Sequence, residues 1–328
     1  MPPAYTPCPE GKINPQKTAL FTDFATPKTL VVLMGPTGVG KTELSIALAQ
    51  QIGSPVISCD SRQLYRELNI GVARPHEEQL RAVPHYFIAD RSVQSSYSVG
   101  SYEQEALALL GRLFARHSTL LMVGGSGLYI DAVCYGMDDM PPVDSELREA
   151  LMRRLSLEGI DSLRRELRTL DPDYYGAVDL KNPARVVRAL EVCLTAGKPF
   201  SKMRRNLPKN RNFGVRFIVL TRSRAALYER INARVDRMME QGLLEEARRL
   251  LPCRHLNALR TVGYRELFRY FDGEIALPQA VELIKRNTRR YAKRQLTWFG
   301  RYEGAEWVDA DDASATSSLL LPPGSGAP

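Results

Sequence analysis

Leu30-Val-Val-Leu-Met-Gly-Pro-Thr-Gly-Val-Gly-Lys-Thr42 decides the fold. The apolar run Leu30–Met34 reads as a buried strand that breaks at Gly35, and Gly35–Thr42 matches the pattern G-x-x-x-x-G-K-[ST]. A helical pattern follows at once, carried by Leu44, Ala47, Leu48 and Gln51. Strand, glycine-rich loop and helix together make an anion site. The glycines let successive N–H groups converge, and the helix N-terminus adds its dipole. Gly35, Pro36, Thr37, Gly38, Val39, Gly40, Lys41 and Thr42 are therefore the expected phosphate-binding residues. Lys41 supplies a point charge and the Thr42 hydroxyl a ligand for Mg²⁺. The motif calls for a di- or triphosphate and leaves open which one.

Outward from this loop, strands and helices alternate. Pro55–Cys59 reads as a second strand ending on Asp60, Tyr86–Ile88 as a third, and Thr119–Val123 as a further strand ending at Gly124-Gly125. Residues 101–116 carry Tyr102, Ala106, Leu109 and Leu113 on one helical face. Such alternation predicts a parallel sheet covered on both faces, with ligands gathered at the C-terminal ends of the strands. From Pro141 the pattern turns helical. Asp144–Leu157 and Ser162–Leu170 read as short helices, and another starts at Asn182-Pro183, with Asn182 as N-cap. Phe217–Leu220 reads as one more sheet strand, and 225–251 and 279–299 as long helices. The expected class is α/β: a P-loop NTPase-like parallel sheet with helices on both faces, an inserted all-helical domain, and C-terminal helices. The expected organisation is a flexible extension at 1–28, a core formed by 29–136 and 208–310, an insertion at 137–207, and a disordered tail at 311–328.

The 328 residues are 44% hydrophobic and 25% charged, ordinary for a globular chain, and the net charge is +8. That charge is concentrated. Residues 181–301 hold 28 Lys and Arg against 10 Asp and Glu, whereas 1–180 and 302–328 each sum to −5. A basic block of this size points to a polyanionic partner such as nucleic acid. Lys285, Arg286, Arg289, Arg290, Lys293 and Arg294 fall within one half of the last long helix, with Tyr291 and Trp298 among them. Five cysteines without a C-x-x-C pattern predict free thiols and a cytoplasmic protein. No run of 18 apolar residues and no basic-then-apolar start predict a membrane span or signal peptide.

Asp60 is the second anchor. At the end of the strand beside the phosphate loop, a carboxylate suits an N-cap, a magnesium-linked ligand or a general base to an acceptor group. The strand ending in Gly124-Gly125-Ser126-Gly127 lacks the acid that motor-type and switch-type NTPases place there to help hold Mg²⁺, which disfavours energy coupling. Ser126 offers a hydroxyl to an anion. His76, His85, His117 and His255 have no ligand spacing.

Seven motifs then carry a resemblance. Gly35–Thr42, Ile57-Ser-Cys-Asp-Ser-Arg-Gln-Leu-Tyr65, Val83-Pro-His-Tyr86, Gly124-Gly-Ser-Gly-Leu-Tyr129, Asn182-Pro-Ala-Arg-Val-Val-Arg-Ala-Leu-Glu191, Thr261-Val-Gly-Tyr-Arg-Glu266 and Thr288-Arg-Arg-Tyr-Ala-Lys-Arg-Gln-Leu-Thr-Trp-Phe299 run in order over about residues 30–300. They resemble the tRNA dimethylallyltransferase (isopentenyl-tRNA transferase, IPP transferase) family. The resemblance implies transfer of a dimethylallyl group from dimethylallyl diphosphate to the exocyclic amine of the adenosine 3′ of the anticodon. Under it, Asp60 is the general base, and Thr42 with Mg²⁺ steadies the diphosphate. Ser126 stands where the family usually has Thr and serves the diphosphate and the tRNA, and Arg224 matches an arginine near the diphosphate. Ser61, Arg62 and Gln63 read the target base, and Arg148 matches a tRNA-contacting position. Ala184, Arg185, Arg188, Arg260, Thr261, Val262, Gly263, Tyr264, Arg265, Lys293, Arg294 and Gln295 complete the implied tRNA surface for an anticodon stem-loop, with the protein acting as a monomer. Ala184 and Arg260 replace frequent Gln residues, and Gly300 a frequent Arg, all in RNA-facing or peripheral parts.

Two other enzymes suit the same loop and Asp60, a small-metabolite kinase and a prenyltransferase of free adenine nucleotides. Neither gives the basic second half a purpose. A basic RNA surface predicts that tRNA affinity falls with salt, with a log–log slope of about −0.9 for each duplex phosphate neutralised. Filter-binding titrations over a salt series measure this slope, and a flat response contradicts the basic-face reading.

Overall fold

The computed structural model describes residues 28–319 apart from Val143 and Asn206; all but Lys28 of the expected extension at 1–28, and the end of the tail, lie outside it. The chain divides into two compact units. The first runs to Tyr135 and resumes at Asn210, and the second is Gly136–Lys209.

In the first unit the order is β1 (Thr29–Met34), α1 (Lys41–Ile52), β2 (Val56–Ser58), α2 (Glu77–Ala82), β3 (His85–Tyr86), α3 (Val99–Leu113), β4 (Thr119–Gly124) and α4 (Gly127–Tyr135). The second unit supplies α5 (Ser145–Glu158), α6 (Ile160–Leu170), α7 (Pro172–Ala177), α8 (Pro183–Ala196) and α9 (Phe200–Met203). The first unit then resumes with β5 (Gly214–Thr221), α10 (Arg224–Glu240), α11 (Leu243–Leu250), α12 (Tyr264–Phe271), α13 (Leu277–Phe299), β6 (Glu306–Asp309) and α14 (Ala313–Leu319).

Six strands form one parallel sheet in the order β3-β2-β4-β1-β5-β6. Because side chains alternate along a strand, β1 sends Leu30, Val32 and Met34 to one buried face and Val31 and Leu33 to the other. β4 and β5 repeat the division with Leu120 and Met122 against Leu121 and Val123, and Phe217 and Val219 against Ile218 and Leu220. The first face packs on residues of α3, α4, α11 and α12, the second on residues of α1 and α10. Near-continuous apolar strands are what a doubly covered parallel sheet requires. Pairing of Met34 with Gly124 and of Ser58 with Val123 brings the ends of β1, β2 and β4 to one edge of the sheet. Gly35, Asp60 and Gly125 therefore emerge side by side.

Several boundaries depart from expectation. The expected helix 225–251 is two helices, α10 and α11, because Gly242 sits at φ 99°, where a helix cannot continue. The strand after β2 is only His85–Tyr86. Residues 311–319 are not disordered: Asp312 accepts hydrogen bonds from the Ser314 and Ala315 amides and starts α14, which packs Ala315 and Leu319 on the second face of the sheet. In the second unit, Asn182 accepts from the Arg185 amide as an N-cap, with Pro183 in the first turn, and Leu151, Leu163, Leu167, Val186, Val187, Ala189 and Leu190 form the core.

The edge leaves no room for a side chain at β4's end. A Cβ on Gly124 would lie 2.7 Å from the backbone and sulfur of Cys59. Gly124→Ala is expected to cost roughly 1–3 kcal/mol by overpacking. Gly111→Ala, in open space on α3, should instead stabilise by roughly 0.5–1 kcal/mol. Denaturant melts of the two variants check the pair.

Candidate active site

The loop between β1 and α1 turns through two left-handed glycines, Gly38 (φ 84°) and Gly40 (φ 106°), the second of which precedes the first turn of α1. At Gly35 the chain passes so close to β5 that a Cβ would meet the Leu220 carbonyl oxygen at 2.8 Å. The Lys41 ammonium lies across the loop, donating to the carbonyls of Gly35 (2.8 Å) and Pro36 (3.0 Å). Burial lowers its pKa to about 8, while the Asp60 carboxylate pulls in the opposite direction.

Three guanidinium groups from the end of β5 and from α10 hold the loop from outside. Arg222 donates to the Val39 carbonyl (2.8 Å), Arg230 to the Gly38 carbonyl (2.9 Å) and Arg234 to the Thr37 hydroxyl (3.3 Å). Arg222 also pairs with Asp311. Burial lowers the pKa of Arg234, against the favourable charge of Asp60. Lys41, Arg234 and Asp60 thus share one electrostatic neighbourhood.

On the β2 side, one oxygen of Asp60, Oδ1, accepts from the amides of Arg62 (2.8 Å) and Gln63 (3.3 Å), fixing the carboxylate at the head of a tight turn. The turn is tied to the end of β4 by Ser126, whose hydroxyl accepts from the Ser61 amide (3.0 Å) and donates to the Ser61 hydroxyl (3.2 Å). Gln63 donates its side-chain amide to the carbonyls of Val72 (3.3 Å) and Ala73 (3.0 Å). The next stretch is clasped by buried Glu246 of α11, which accepts from the amides of Asn69, Ile70 and Gly71 and from the Tyr264 hydroxyl (2.7 Å).

α13 closes the arrangement. The buried Gln295 accepts from the Thr37 amide (2.9 Å) and donates to the Gly125 carbonyl (2.9 Å), joining the phosphate loop to the β4 turn. Gly125 and Gly127 let this helix approach, since a Cβ on either would lie 2.2 Å from the Gln295 amide or the Trp298 ring. A loop of amides and cations beside an anchored carboxylate can hold a diphosphate and take a proton from a group poised next to it.

A sequence model of the IPP transferase family matches residues 63–302. The tRNA dimethylallyltransferase 1 of Bacteroides thetaiotaomicron is 52% identical over 292 residues, 89% of this chain and 95% of that protein. The chain belongs to the IPP transferase family. Among solved structures, the tRNA isopentenylpyrophosphate transferase of Bacillus halodurans is similar at TM-score 0.65 and 35% identity, covering 89% of this chain and 94% of its own. A eukaryotic dimethylallyltransferase acting on tRNA is similar at TM-score 0.73 and 26% identity, covering 88% and 75%.

The family motifs sort into three positions. Gly35–Thr42, Asp60–Gln63 and Ser126 converge at the sheet edge. Arg185, Arg260, Arg265, Lys293 and Arg294 are exposed, as is Ala184, and Thr261 and Val262 are part-exposed. A third group is internal. Tyr264 is wholly buried on Glu246, and Gly263 (φ 101°) is the buried N-cap of α12. Gln295 is the strut just described, so Gly263, Tyr264 and Gln295 are engaged in supporting the fold.

Arg224 takes no part in the hydrogen bonds that hold the loop. It lies exposed at the start of α10, and among the described residues the guanidinium groups bonded to the loop are those of Arg222, Arg230 and Arg234. The four-residue spacing of Arg230 and Arg234 on a helix following β5 was the available signal. The basic face of α13 also divides: Lys285 pairs with Asp236, and Arg289 donates to Asn232, both on α10, while Arg286, Arg290, Lys293 and Arg294 stay exposed.

Among the described residues no group of three or more His, Cys, Asp or Glu has metal-binding geometry. The donor set instead suits a magnesium ion carried mainly by phosphate oxygens and water, which takes one or two protein oxygens. The Thr42 hydroxyl, at the start of α1, is the protein oxygen that fits that requirement.

Lys41 sets a pH dependence. A bound diphosphate stabilises the ammonium and raises its pKa, so binding takes up a proton above about pH 8. Affinity for inorganic diphosphate should therefore fall as pH rises through about 8, by up to tenfold per pH unit, and the fall should vanish in Lys41→Arg. Protein stability has the opposite sign. The unfolded chain holds this proton more tightly, so the Lys41 contribution to stability rises between about pH 8 and the ordinary lysine value of 10.5. Calorimetric titration and melting across this range measure both.

Proposed function

We infer that the protein transfers a dimethylallyl group from dimethylallyl diphosphate to the exocyclic amine of the adenosine 3′ of the anticodon in tRNA. The observation that carries this reading is Asp60, anchored through one oxygen by the Arg62 and Gln63 amides in the same electrostatic neighbourhood as Lys41 of the phosphate loop. A kinase would use such a loop to transfer phosphate. Membership of the IPP transferase family supports the reading in which the loop holds a leaving group instead.

In the proposed step the adenine nitrogen forms a bond to the allylic carbon while the carbon–oxygen bond to the diphosphate breaks. The diphosphate leaves with the electron pair, and the proton of the amine passes to Asp60. The adenine lone pair is delocalised into its ring, so removing the proton as the bond develops contributes about 10²–10⁴-fold. Negative charge growing on the diphosphate is met by the loop amides beyond Thr37, whose own amide Gln295 takes, by Lys41 and by Arg234. The Thr42 hydroxyl would hold a magnesium ion, which would supply further neutralisation of that charge when bound.

The target base must leave its stack, at a cost of a few kcal/mol, which backbone contacts offset. Arg260, Arg265, Lys293 and Arg294 of the first unit and Arg148, Arg185 and Arg188 of the second are assigned to those contacts. Ser61 and Arg62 are assigned to the base itself. No helix among the described residues is long and apolar enough to cross a membrane.

Incubating unmodified tRNA with dimethylallyl diphosphate should yield isopentenyladenosine by nucleoside mass spectrometry, and Asp60→Ala should slow the reaction by about 10²–10⁴-fold. Wild-type rates from that variant reject Asp60 as the base. Full activity with AMP in place of tRNA, or turnover of ATP alone, rejects the tRNA reading.

A further inference from the structure

The most deeply buried carboxylate among the described residues lies in the second unit. Glu191 on α8 is 0% exposed. Its Oε2 accepts from Arg188 Nη1 at 2.8 Å, one turn earlier on the same helix, and its Oε1 faces Arg148 Nη1 of α5 at 3.5 Å and has no hydrogen-bond partner. The Arg188 guanidinium also reaches the Pro141 carbonyl at 3.5 Å. Both arginines keep substantial exposure, 33% for the Arg188 side chain and 50% for that of Arg148.

A carboxylate at this depth is costly unless it is paired, and apolar residues of similar size commonly serve stability as well or better. Packing alone therefore gives poor grounds for an acid here. What the acid does provide is order. It hydrogen-bonds Arg188 and draws Arg148 into an ion pair at 3.5 Å, so one carboxylate gathers two guanidinium groups from neighbouring helices. A free arginine would have to give up rotamer entropy when it binds a phosphate, and a held one has already done so.

We propose that Glu191 is a positioning residue for tRNA, holding Arg148 and Arg188 as a preformed two-pronged grip on the RNA backbone. This rests on the proposed tRNA function. Glu191 touches no substrate itself. It lowers the net charge of the patch by one, so its benefit is geometric, and it discriminates between RNA whose phosphates fit the grip and RNA whose phosphates do not.

The test compares Glu191→Gln and Glu191→Met with Arg188→Lys, Arg148→Ala and Arg188→Ala, using steady-state transfer to unmodified tRNA. In both Glu191 variants KM for tRNA should rise about tenfold, with kcat and KM for dimethylallyl diphosphate unchanged. Affinity for a non-substrate RNA of equal length should hold or increase, because one negative charge is gone. Glu191→Met should melt at or above the wild-type temperature. Arg188→Lys, which keeps charge and loses the fork, should raise KM for tRNA comparably, and combining it with Glu191→Gln should add little, as expected for groups acting together.

Unchanged KM for tRNA in the Glu191 variants, with Arg188→Ala raising it, overturns the positioning role alone. Equal weakening toward both RNAs with a lowered melting temperature assigns Glu191 to folding and overturns it as well. Unchanged KM in Arg148→Ala and Arg188→Ala removes the RNA surface from the second unit and the inference with it. Absence of transfer by the wild-type protein instead rejects the proposed function.

Discussion

The Gln295 carboxamide is the contact on which the active-site geometry depends. Its oxygen takes the Thr37 amide and its nitrogen gives to the Gly125 carbonyl, so a helix 258 residues along the chain ties the phosphate loop after β1 to the turn after β4. Backbone groups at the C-terminal edge of a parallel sheet have no further strand to pair with, and each one buried must find a partner or lose stability. A single side-chain amide, donor at one end and acceptor at the other, satisfies two of them at once. The small residues of the Gly124–Gly127 turn follow from the same contact, because any Cβ at Gly125 would displace the amide. Neighbouring Trp298 imposes the same limit on Gly127.

Much of the sheet was legible because its signals are local. The break from Leu30–Met34 to Gly35, the strand before Asp60 and the strand before Gly124 are short-range patterns, and parallel pairing then aligns their ends. The helical character of 137–207 was legible too, from capping at Asn182-Pro183 and the apolar spacing around it. The division of 225–251 into α10 and α11 was not, since an isolated glycine in a helical pattern is often tolerated; here Gly242 takes a positive φ that ends the helix.

The site was legible in its residue types and less so in its assignments. Arg222, Arg224, Arg230, Arg234 and Arg237 crowd one stretch, and their identity as cations says nothing about which will meet the loop. That depends on the rotation of α10 about its axis, fixed by burial of Leu227 and Ile231 against the sheet. This phase brings Arg230 and Arg234 to the loop and leaves Arg224 in solvent. The internal partner of Tyr264 was hidden for a related reason. A tyrosine within a basic segment reads as an RNA contact, yet its hydroxyl has a buried partner, Glu246, that only the tertiary fold reveals.

Net charge conceals a division of labour in the basic half of the chain. Among the few acids between 181 and 301, Glu191, Glu246 and Glu266 are nearly inaccessible, and each accepts hydrogen bonds from parts of the chain that must be held still. The arginines and lysines mostly lie outside. This arrangement lets a protein present dense positive charge without relying on it for cohesion, since exposed like charges repel while buried carboxylates organise the backbone and the guanidinium groups around them. At the phosphate loop the logic is the same with the signs reversed. Lys41 and Arg234 are cations whose charged forms burial disfavours, balanced in part by Asp60. A diphosphate entering such a loop supplies the counter-charge these groups lack, so the site gains most from the ligand whose charge grows as the carbon–oxygen bond breaks.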